Sequence, residues 1–85
     1  MAKYKLLFKK SVAKDLRTLP KSDVRKILRR VDALAEDPRG SGSKKLSDQE
    51  YYRVRQGVYR IIYEILDGQL IVHVIKIAHR SKSYQ

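Results

Sequence analysis

The sequence predicts an α+β fold in which a strand, two helices and a three-stranded antiparallel meander follow one another along the chain. Residues 24–35 carry an apolar stripe with helical spacing, and residues 59–65 alternate with the period of a β-strand. The Asp67-Gly68 pair between two strand-like segments is typical of a hairpin turn. We therefore expect the two helices to form an antiparallel hairpin that packs on one face of a sheet.

The first strand and the first helix are predicted before Pro20. Residues 3–9 place apolar side chains between lysines, a pattern that suits an edge strand. Ser11 is predicted to cap a short helix that carries Val12, Leu16 and Leu19 on one side. Pro20 ends this helix, because the residue before a proline is displaced from the α region.

The second helix has the clearest pattern in the chain. It is predicted to begin at Lys21 or Ser22 and to stop at Asp37-Pro38. Each fully buried leucine or isoleucine of its stripe should contribute about 2 kcal/mol. The stripe consists of Val24, Ile27, Leu28, Val31, Leu34 and Ala35. A flexible loop follows at residues 39–43, and three strands are predicted at residues 51–55, 58–66 and 69–78.

The register of the last hairpin decides which face of the sheet carries the basic residues. A two-residue turn at Asp67-Gly68 would place Arg60 and Arg80 on opposite faces. A three-residue turn with a left-handed glycine pairs Ile65 with Gln69 and is favoured, because it gives a more apolar core. The open face would then carry Arg60, Ile62, Glu64, Val72, Val74, Lys76 and Arg80. The helix-covered face would carry Tyr59, Ile61, Tyr63, Ile65, Ile71, Ile75 and Ile77.

Length and composition indicate one small domain. A chain of 85 residues can bury one modest core, so residues 1–85 are interpreted as a single domain. The charged start of the chain does not resemble a signal peptide, and the apolar segment at residues 70–78 is too short to cross a bilayer. The chain has no cysteine, which excludes disulfides and agrees with a cytoplasmic location.

The net charge of +11 points to a polyanionic partner, which could be nucleic acid, an acidic protein or an anionic membrane surface. The membrane interpretation requires an apolar helix face that is open to lipid, whereas both helices are assigned to the core. Arg53, Arg55 and Arg60 repel one another unless an anion lies among them. Two plainer interpretations stay open: the first two arginines as a solvated strand edge, and Arg60 as a partner of Glu64 or of an acidic protein.

Four short patterns resemble the RelE/ParE toxin superfamily, and more narrowly its RelE branch. They are Tyr-Arg-Val-Arg at residues 52–55, Gly-Val-Tyr-Arg-Ile-Ile-Tyr-Glu-Ile at residues 57–65, Asp-Gly at residues 67–68, and Val-Ile-Lys-Ile-Ala-His-Arg at residues 74–80 with a tyrosine four residues later. The resemblance covers essentially the whole chain. It implies a four-stranded antiparallel-type sheet with the helices on one face.

The resemblance also implies a function and a set of partners. The function is that of a type II toxin that cleaves mRNA in the ribosomal A site, by attack of a 2′-hydroxyl without a metal ion. The partners are an acidic, RelB-like antitoxin, the ribosome with its mRNA, and operator DNA only as the toxin–antitoxin complex, with no membrane and no cofactor. Two alternatives stay open: a ParE-like inhibitor of DNA gyrase, and a catalytically weak co-repressor that acts with its antitoxin.

Site residues follow from the resemblance and from side-chain chemistry. The resemblance assigns Arg60 and Arg80 to the reacting phosphate and Tyr84 to stacking on a base. Arg53 and Arg55 are interpreted as phosphate binders rather than bases, because arginine does not deprotonate at working pH. His79 is the hypothesised general acid or base, since histidine titrates near neutral pH. The alternative is that the ribosome supplies most of the geometry and no side chain moves a proton decisively. Further phosphate-binding candidates are Lys44, Lys45, Lys76 and Lys82. No metal site is predicted, because the carboxylates are scattered along the chain.

Overall fold

In the computed structural model, which describes residues 3–46 and 51–81, two helices pack on one face of a five-stranded sheet. The sheet order is β1-β5-β4-β3-β2. The elements are β1 (Lys5–Phe8), α1 (Lys10–Arg17), α2 (Lys21–Glu36), β2 (Lys44–Leu46), β3 (Tyr51–Gln56), β4 (Tyr59–Leu66), a 3-10 turn (Asp67–Gln69) and β5 (Ile71–His79). The predicted α+β class and the predicted order of elements are confirmed.

The sheet differs from the expected four antiparallel strands in two ways. β2 is a fifth strand that pairs with β3. Two of its three residues are lysines, so it lacks the alternation of apolar side chains that predicts a strand. Lysine is nevertheless common on edge strands, where charge discourages pairing with another chain. β1 pairs with β5 in parallel. Most of the chain, including both helices, lies between these two strands and provides the long connection that parallel strands require.

The two helices begin and end close to the predicted positions. Helix α1 has Lys9 as its N-cap, so the expectation that Ser11 caps it is wrong, and Ser11 lies within the first turn. The backbone N–H of Val12 donates instead to the Lys9 carbonyl. Helix α2 follows Pro20 directly and ends at Glu36 before Asp37, as predicted. Leu28 departs from the predicted apolar stripe, since its side chain is exposed.

The core lies between the helices and one face of the sheet. Its buried members from both layers are Val12, Ile27, Val31, Leu34, Tyr52, Val54, Tyr59, Ile61, Tyr63, Ile65, Val72, Val74 and Ile77. On β4 these residues alternate with residues of the opposite face, as the sequence predicted. Each large apolar side chain removed from water here stabilises the fold by about 2 kcal/mol.

The hairpin between β4 and β5 has neither of the two predicted registers. Leu66 pairs with Ile71, so the connection is four residues long, and Leu70 rather than Gly68 adopts the left-handed conformation (φ 55°). A bulge then shifts the pairing between Ile62 and Tyr63. The bulge reverses the face of β5 halfway along the strand, which no alternation pattern can reveal.

The bulge explains which face predictions failed. Before it, Val72 and Val74 lie on the helix-covered face and Ile71 on the open face, the reverse of the prediction. After it, Lys76 lies opposite Ile62 on the open face and Ile77 lies opposite Ile61 in the core, as predicted. Within the described residues, no helix is long and apolar enough to span a membrane.

Candidate functional site: a basic open face

The face of the sheet that the helices do not cover carries most of the predicted phosphate-binding residues. Strand pairing places Lys44 beside Arg53, Arg55 directly opposite Arg60, and Lys76 on the far side of β4. We call this surface the open face. Like charges directly opposite each other in a sheet are destabilising, so the Arg55–Arg60 pair costs stability that the fold alone does not require.

One end of the open face forms a pocket of about 370 Å³, here called the arginine pocket. Its lining residues are Arg55, Gly57, Tyr59, Arg60, Arg80 and Ser81. The β3–β4 turn consists of Gly57 and Val58, and the positive φ of Gly57 (61°) suits the first position of a two-residue hairpin turn. The Arg80 backbone N–H donates to the Val58 carbonyl at 2.6 Å, which brings Arg80 beside that turn.

Arg60, one of the residues that line this pocket, has an unsatisfied donor. Among the described residues, its Nε atom is buried and lacks a hydrogen-bond partner. Pairing with Glu64, one of the interpretations left open, is wrong, because Glu64 Oε1 lies 2.8 Å from His73 Nδ1 instead. A buried donor without a partner is unfavourable, and a ligand oxygen beside Arg60 would relieve that cost.

A second pocket of about 240 Å³ adjoins the first and is here called the β3-edge pocket. Its lining residues are Arg30, Gly42, Lys44, Arg53 and Arg55. Arg53 and Arg55 therefore lie among other cations, and Arg55 is exposed to solvent. Arginine side chains present planar, forked donors to phosphate oxygens, so both pockets suit a phosphate group.

His79 is not one of the residues that line the arginine pocket, but it contacts two that do, Tyr59 and Ser81. It pairs with Tyr59 across β4 and β5, on the opposite side of the sheet from Arg60, and its exposed ring meets the Tyr59 ring edge-on at 5.6 Å. The Ser81 backbone N–H donates to His79 Nδ1 at 3.1 Å. Nδ1 thus serves as an acceptor, and Nε2 is left as the ring nitrogen that can exchange a proton with a ligand.

The remaining candidates are distributed differently. Lys76 is exposed on the open face, whereas Lys45 pairs with Tyr52 and so belongs to the opposite face from Lys44. Tyr84 and Lys82, which were predicted to stack on a base and to bind phosphate, lie outside the described residues. Among the described residues, no group of three or more histidine, cysteine or acidic side chains could hold a metal ion.

Arg39 belongs to a cluster that sequence reasoning missed. Its guanidinium group binds both carboxylate oxygens of Asp67, at 3.1 and 2.7 Å, and Tyr4 Oη donates to the same carboxylate at 2.8 Å. The hydrogen bond from Arg39, followed by that from Tyr4, lowers the pKa of Asp67. The cluster joins the start of β1, the exit of α2 and the β4–β5 turn. These segments are far apart in sequence, so no local pattern signals the cluster.

Hydrogen bonds also fix the positions of two tyrosines on the helix-covered face. Tyr59 Oη donates to Asp23 at 2.9 Å, and this bond raises the pKa of Tyr59. Tyr63 Oη donates to the Pro38 carbonyl at 2.6 Å, and burial raises the pKa of Tyr63 to about 12. These bonds attach α2 and its exit to β4, the strand that holds Arg60 in place on the other face.

Comparison with known proteins agrees with this architecture. The family model for the ParE toxin of type II toxin–antitoxin systems matches residues 6–84. The chain therefore belongs to the RelE/ParE superfamily of type II toxins, which its sequence patterns at residues 52–80 resemble. Within that superfamily, its similarity to individual proteins places it in the RelE-like branch.

Three relatives illustrate the likeness. The toxin RelE of Mycobacterium tuberculosis is 33% identical over 84 residues, covering 96% of this chain and 87% of the relative. The RelE of the archaeal RelE–RelB complex from Pyrococcus horikoshii superposes with a TM-score of 0.81 at 27% identity, covering 98% and 100% of the two chains. The RelBE2 toxin–antitoxin complex of M. tuberculosis gives a TM-score of 0.82 at 25% identity, covering 92% and 99%.

Proposed function

We propose that this chain is a single toxin domain that cleaves mRNA in the A site of the ribosome. The observation that carries the proposal is the arginine pocket, where Arg55, Arg60 and Arg80 converge and the buried Arg60 Nε lacks a partner among the described residues. A phosphate oxygen would supply that partner. The similarity to RelE toxins supports the choice of RNA as the ligand.

The chemistry follows from the groups at hand. The 2′-oxygen attacks the adjacent phosphorus as its proton leaves, a 2′,3′-cyclic phosphate forms, and the bond to the 5′-oxygen breaks as that oxygen takes up a proton. Negative charge on the phosphoryl oxygens grows during this step. The guanidinium groups of Arg60 and Arg80 stabilise this charge without changing protonation state. In the proposal, Tyr84 stacks on the base and His79 exchanges a proton.

The proposed partners match the charge of the chain. Structures of relatives contain RelB antitoxins, and an acidic antitoxin of this type would neutralise much of a surface whose net charge is +11. Free toxin acts on the ribosome and its mRNA in the cytoplasm. Operator DNA is bound only by the toxin–antitoxin complex.

Primer extension on mRNA in a purified translation system with stalled ribosomes tests the proposal. Wild-type protein should give cuts confined to the A-site codon. Arg60→Ala should lower the cleavage rate by about 100-fold or more, the usual effect of removing one donor that faces a developing oxyanion. Arg17→Ala is the matched control, because it removes the same charge from an exposed position on α1 and should cut normally.

Intact mRNA with the wild-type protein would contradict the proposal. A supercoiling assay with DNA gyrase would then test the ParE-like alternative. Operator binding by the toxin–antitoxin complex, without either inhibitory activity, would indicate the co-repressor.

A further inference from the structure

Three pockets lined by basic residues follow one another on the surface, and neighbouring pockets share an arginine. The arginine pocket and the β3-edge pocket share Arg55. A third pocket of about 380 Å³, here called the α2 pocket, shares Arg30 with the β3-edge pocket. Its lining residues are Lys26, Arg29, Arg30, Ala33 and Gln56. A shared side chain makes two pockets adjacent, so the three form one basic track from the open face to α2.

The track leaves the open face where β3 has no neighbouring strand. β2 covers β3 only as far as the pair Lys44–Arg53, and the last three residues of β3 extend beyond it. Arg30 reaches this place from α2, where its Nη2 donates to the Ser41 carbonyl at 3.0 Å. A Cβ on Gly42, whose φ is 89°, would lie only 2.8 Å from that Nη2 atom. Glycine here permits the close approach that places Arg30 between two pockets.

The cations of the track have no acidic partner among the described residues that line the three pockets. Within residues 3–46 and 51–81, the ion pairs Lys3–Glu36, Arg39–Asp67 and His73–Glu64 all lie outside the three linings, and no carboxylate residue is among the lining residues. The hydrogen bond of Arg30 goes to a neutral carbonyl, so it positions the guanidinium without neutralising it. A run of adjacent cations without counter-charges favours a ligand that carries several phosphates in a row.

We propose that the track binds successive phosphates of one RNA strand. Its backbone runs from the reacting phosphate in the arginine pocket, over the β3 edge, to the basic face of α2. The proposal rests on the proposed function, because it takes RNA as the ligand. One phosphate per pocket sets a length requirement: a tetranucleotide, with three internucleotide phosphates, fills the whole track, whereas a dinucleotide fills only one pocket.

Fluorescence anisotropy with single-stranded 2′-O-methyl RNA tests this directly, since such RNA cannot be cleaved by 2′-hydroxyl attack. Oligonucleotides from dinucleotide to octanucleotide are titrated at several salt concentrations between about 50 and 200 mM. The variant Lys26→Ala/Arg29→Ala removes two cations from the α2 pocket. The matched variant Lys10→Ala/Arg17→Ala removes the same charge from exposed positions on α1, outside all three linings.

The wild-type protein should gain affinity steeply up to the tetranucleotide. The α2 variant should lose the last part of that gain. Its plot of log K against log salt concentration should be less steep by about 0.7, the contribution on a single strand of the one phosphate that the α2 pocket holds. The α1 variant should follow the wild-type protein, and both variants should bind the dinucleotide equally well. Equal losses in both variants at every length would show a general charge effect and overturn the track.

The two proposals fail in different ways. If affinity rises with oligonucleotide length as expected but mRNA stays intact on the ribosome, the proposed function is overturned and the track is retained. Suppose instead that cleavage requires Arg60 and that the α2 variant binds oligonucleotides of every length as tightly as the wild-type protein does. Those two results would overturn the track but not the proposed function. If that variant also loses cleavage on the ribosome, α2 contacts ribosomal RNA rather than the cleaved strand.

Discussion

The two faces of the sheet differ in whether their polar side chains have hydrogen-bond partners. On the helix-covered face, each of the three tyrosines that are buried in the described part of the chain has a hydroxyl partner: Tyr52 accepts from Arg39, Tyr59 donates to Asp23 and Tyr63 donates to the Pro38 carbonyl. On the open face, two arginines lie directly opposite each other, and the described residues include no partner for Arg60 Nε. The first face contributes to stability, and the second gives up some stability to keep charge available for a ligand.

The largest expected effect compares two adjacent residues on opposite faces, Ile61 and Ile62, both of which are buried. Ile61→Ala leaves a cavity in the close-packed core and should lower the free energy of unfolding by about 3–4 kcal/mol. Ile62→Ala should cost only about 2 kcal/mol, because the long side chains of its neighbours Arg53 and Lys76 can move into the space. Urea unfolding measures both values. Equal costs would show that the two faces are packed equally tightly.

The pH dependence of Tyr63 sharpens the comparison on the covered face. At neutral pH, Tyr63→Phe leaves the Pro38 carbonyl without this donor and should cost about 1 kcal/mol. Burial raises the pKa of Tyr63 to about 12, above the value of about 10 for an unfolded chain. Stability is therefore unaffected by this group below about pH 10 and falls by roughly 3 kcal/mol as the pH rises towards 12, because the phenol of the unfolded chain ionises first.

The order of stability should consequently reverse with pH. Wild-type protein should unfold at higher urea than Tyr63→Phe at pH 7 and at lower urea near pH 12. The other tyrosines and the lysines titrate in both proteins, so the difference between the two curves isolates Tyr63. Two curves that stay parallel from pH 7 to pH 12 would contradict a buried, neutral phenol.

The sequence was informative where a pattern is local. The alternation on β4 correctly separates Arg60 from Tyr59 and Tyr63, because strand geometry alone sends them to opposite faces. The register of β5 was not accessible in the same way. It depends on a bulge and on a left-handed Leu70, and leucine has no intrinsic preference for that conformation.

The candidate site shows the same limit. Arg53, Arg55 and Arg60 were found because they are close in sequence, on two strands joined by a tight turn. The sequence places Arg30 on the polar face of α2 but does not predict its position in the β3-edge pocket, since that position depends on how α2 packs and on the close approach at Gly42. Contacts between distant segments carry no periodic signal, so they became visible only in the folded chain.

The smallest expected effect concerns the stability that is lost through repulsion between Arg55 and Arg60 on the open face. Arg55→Gln removes the charge opposite Arg60 and should raise the free energy of unfolding by about 0.5 kcal/mol, within the range measured for cross-strand pairs. The same variant should weaken RNA binding, because Arg55 lines both the arginine pocket and the β3-edge pocket. Arg25→Gln on the exposed face of α2 is the matched control and should change neither property.

Salt provides the decisive measurement for this pair of arginines. Repulsion between exposed charges is screened when the Debye length falls from about 10 Å at 0.1 M salt to about 3 Å at 1 M. The stability advantage of Arg55→Gln over wild-type protein should therefore shrink at high salt, whereas a gain from better packing or strand propensity would persist. A gain that persists at high salt would mean that repulsion between Arg55 and Arg60 does not destabilise the open face. The contrast between the two faces would then rest on hydrogen bonding alone.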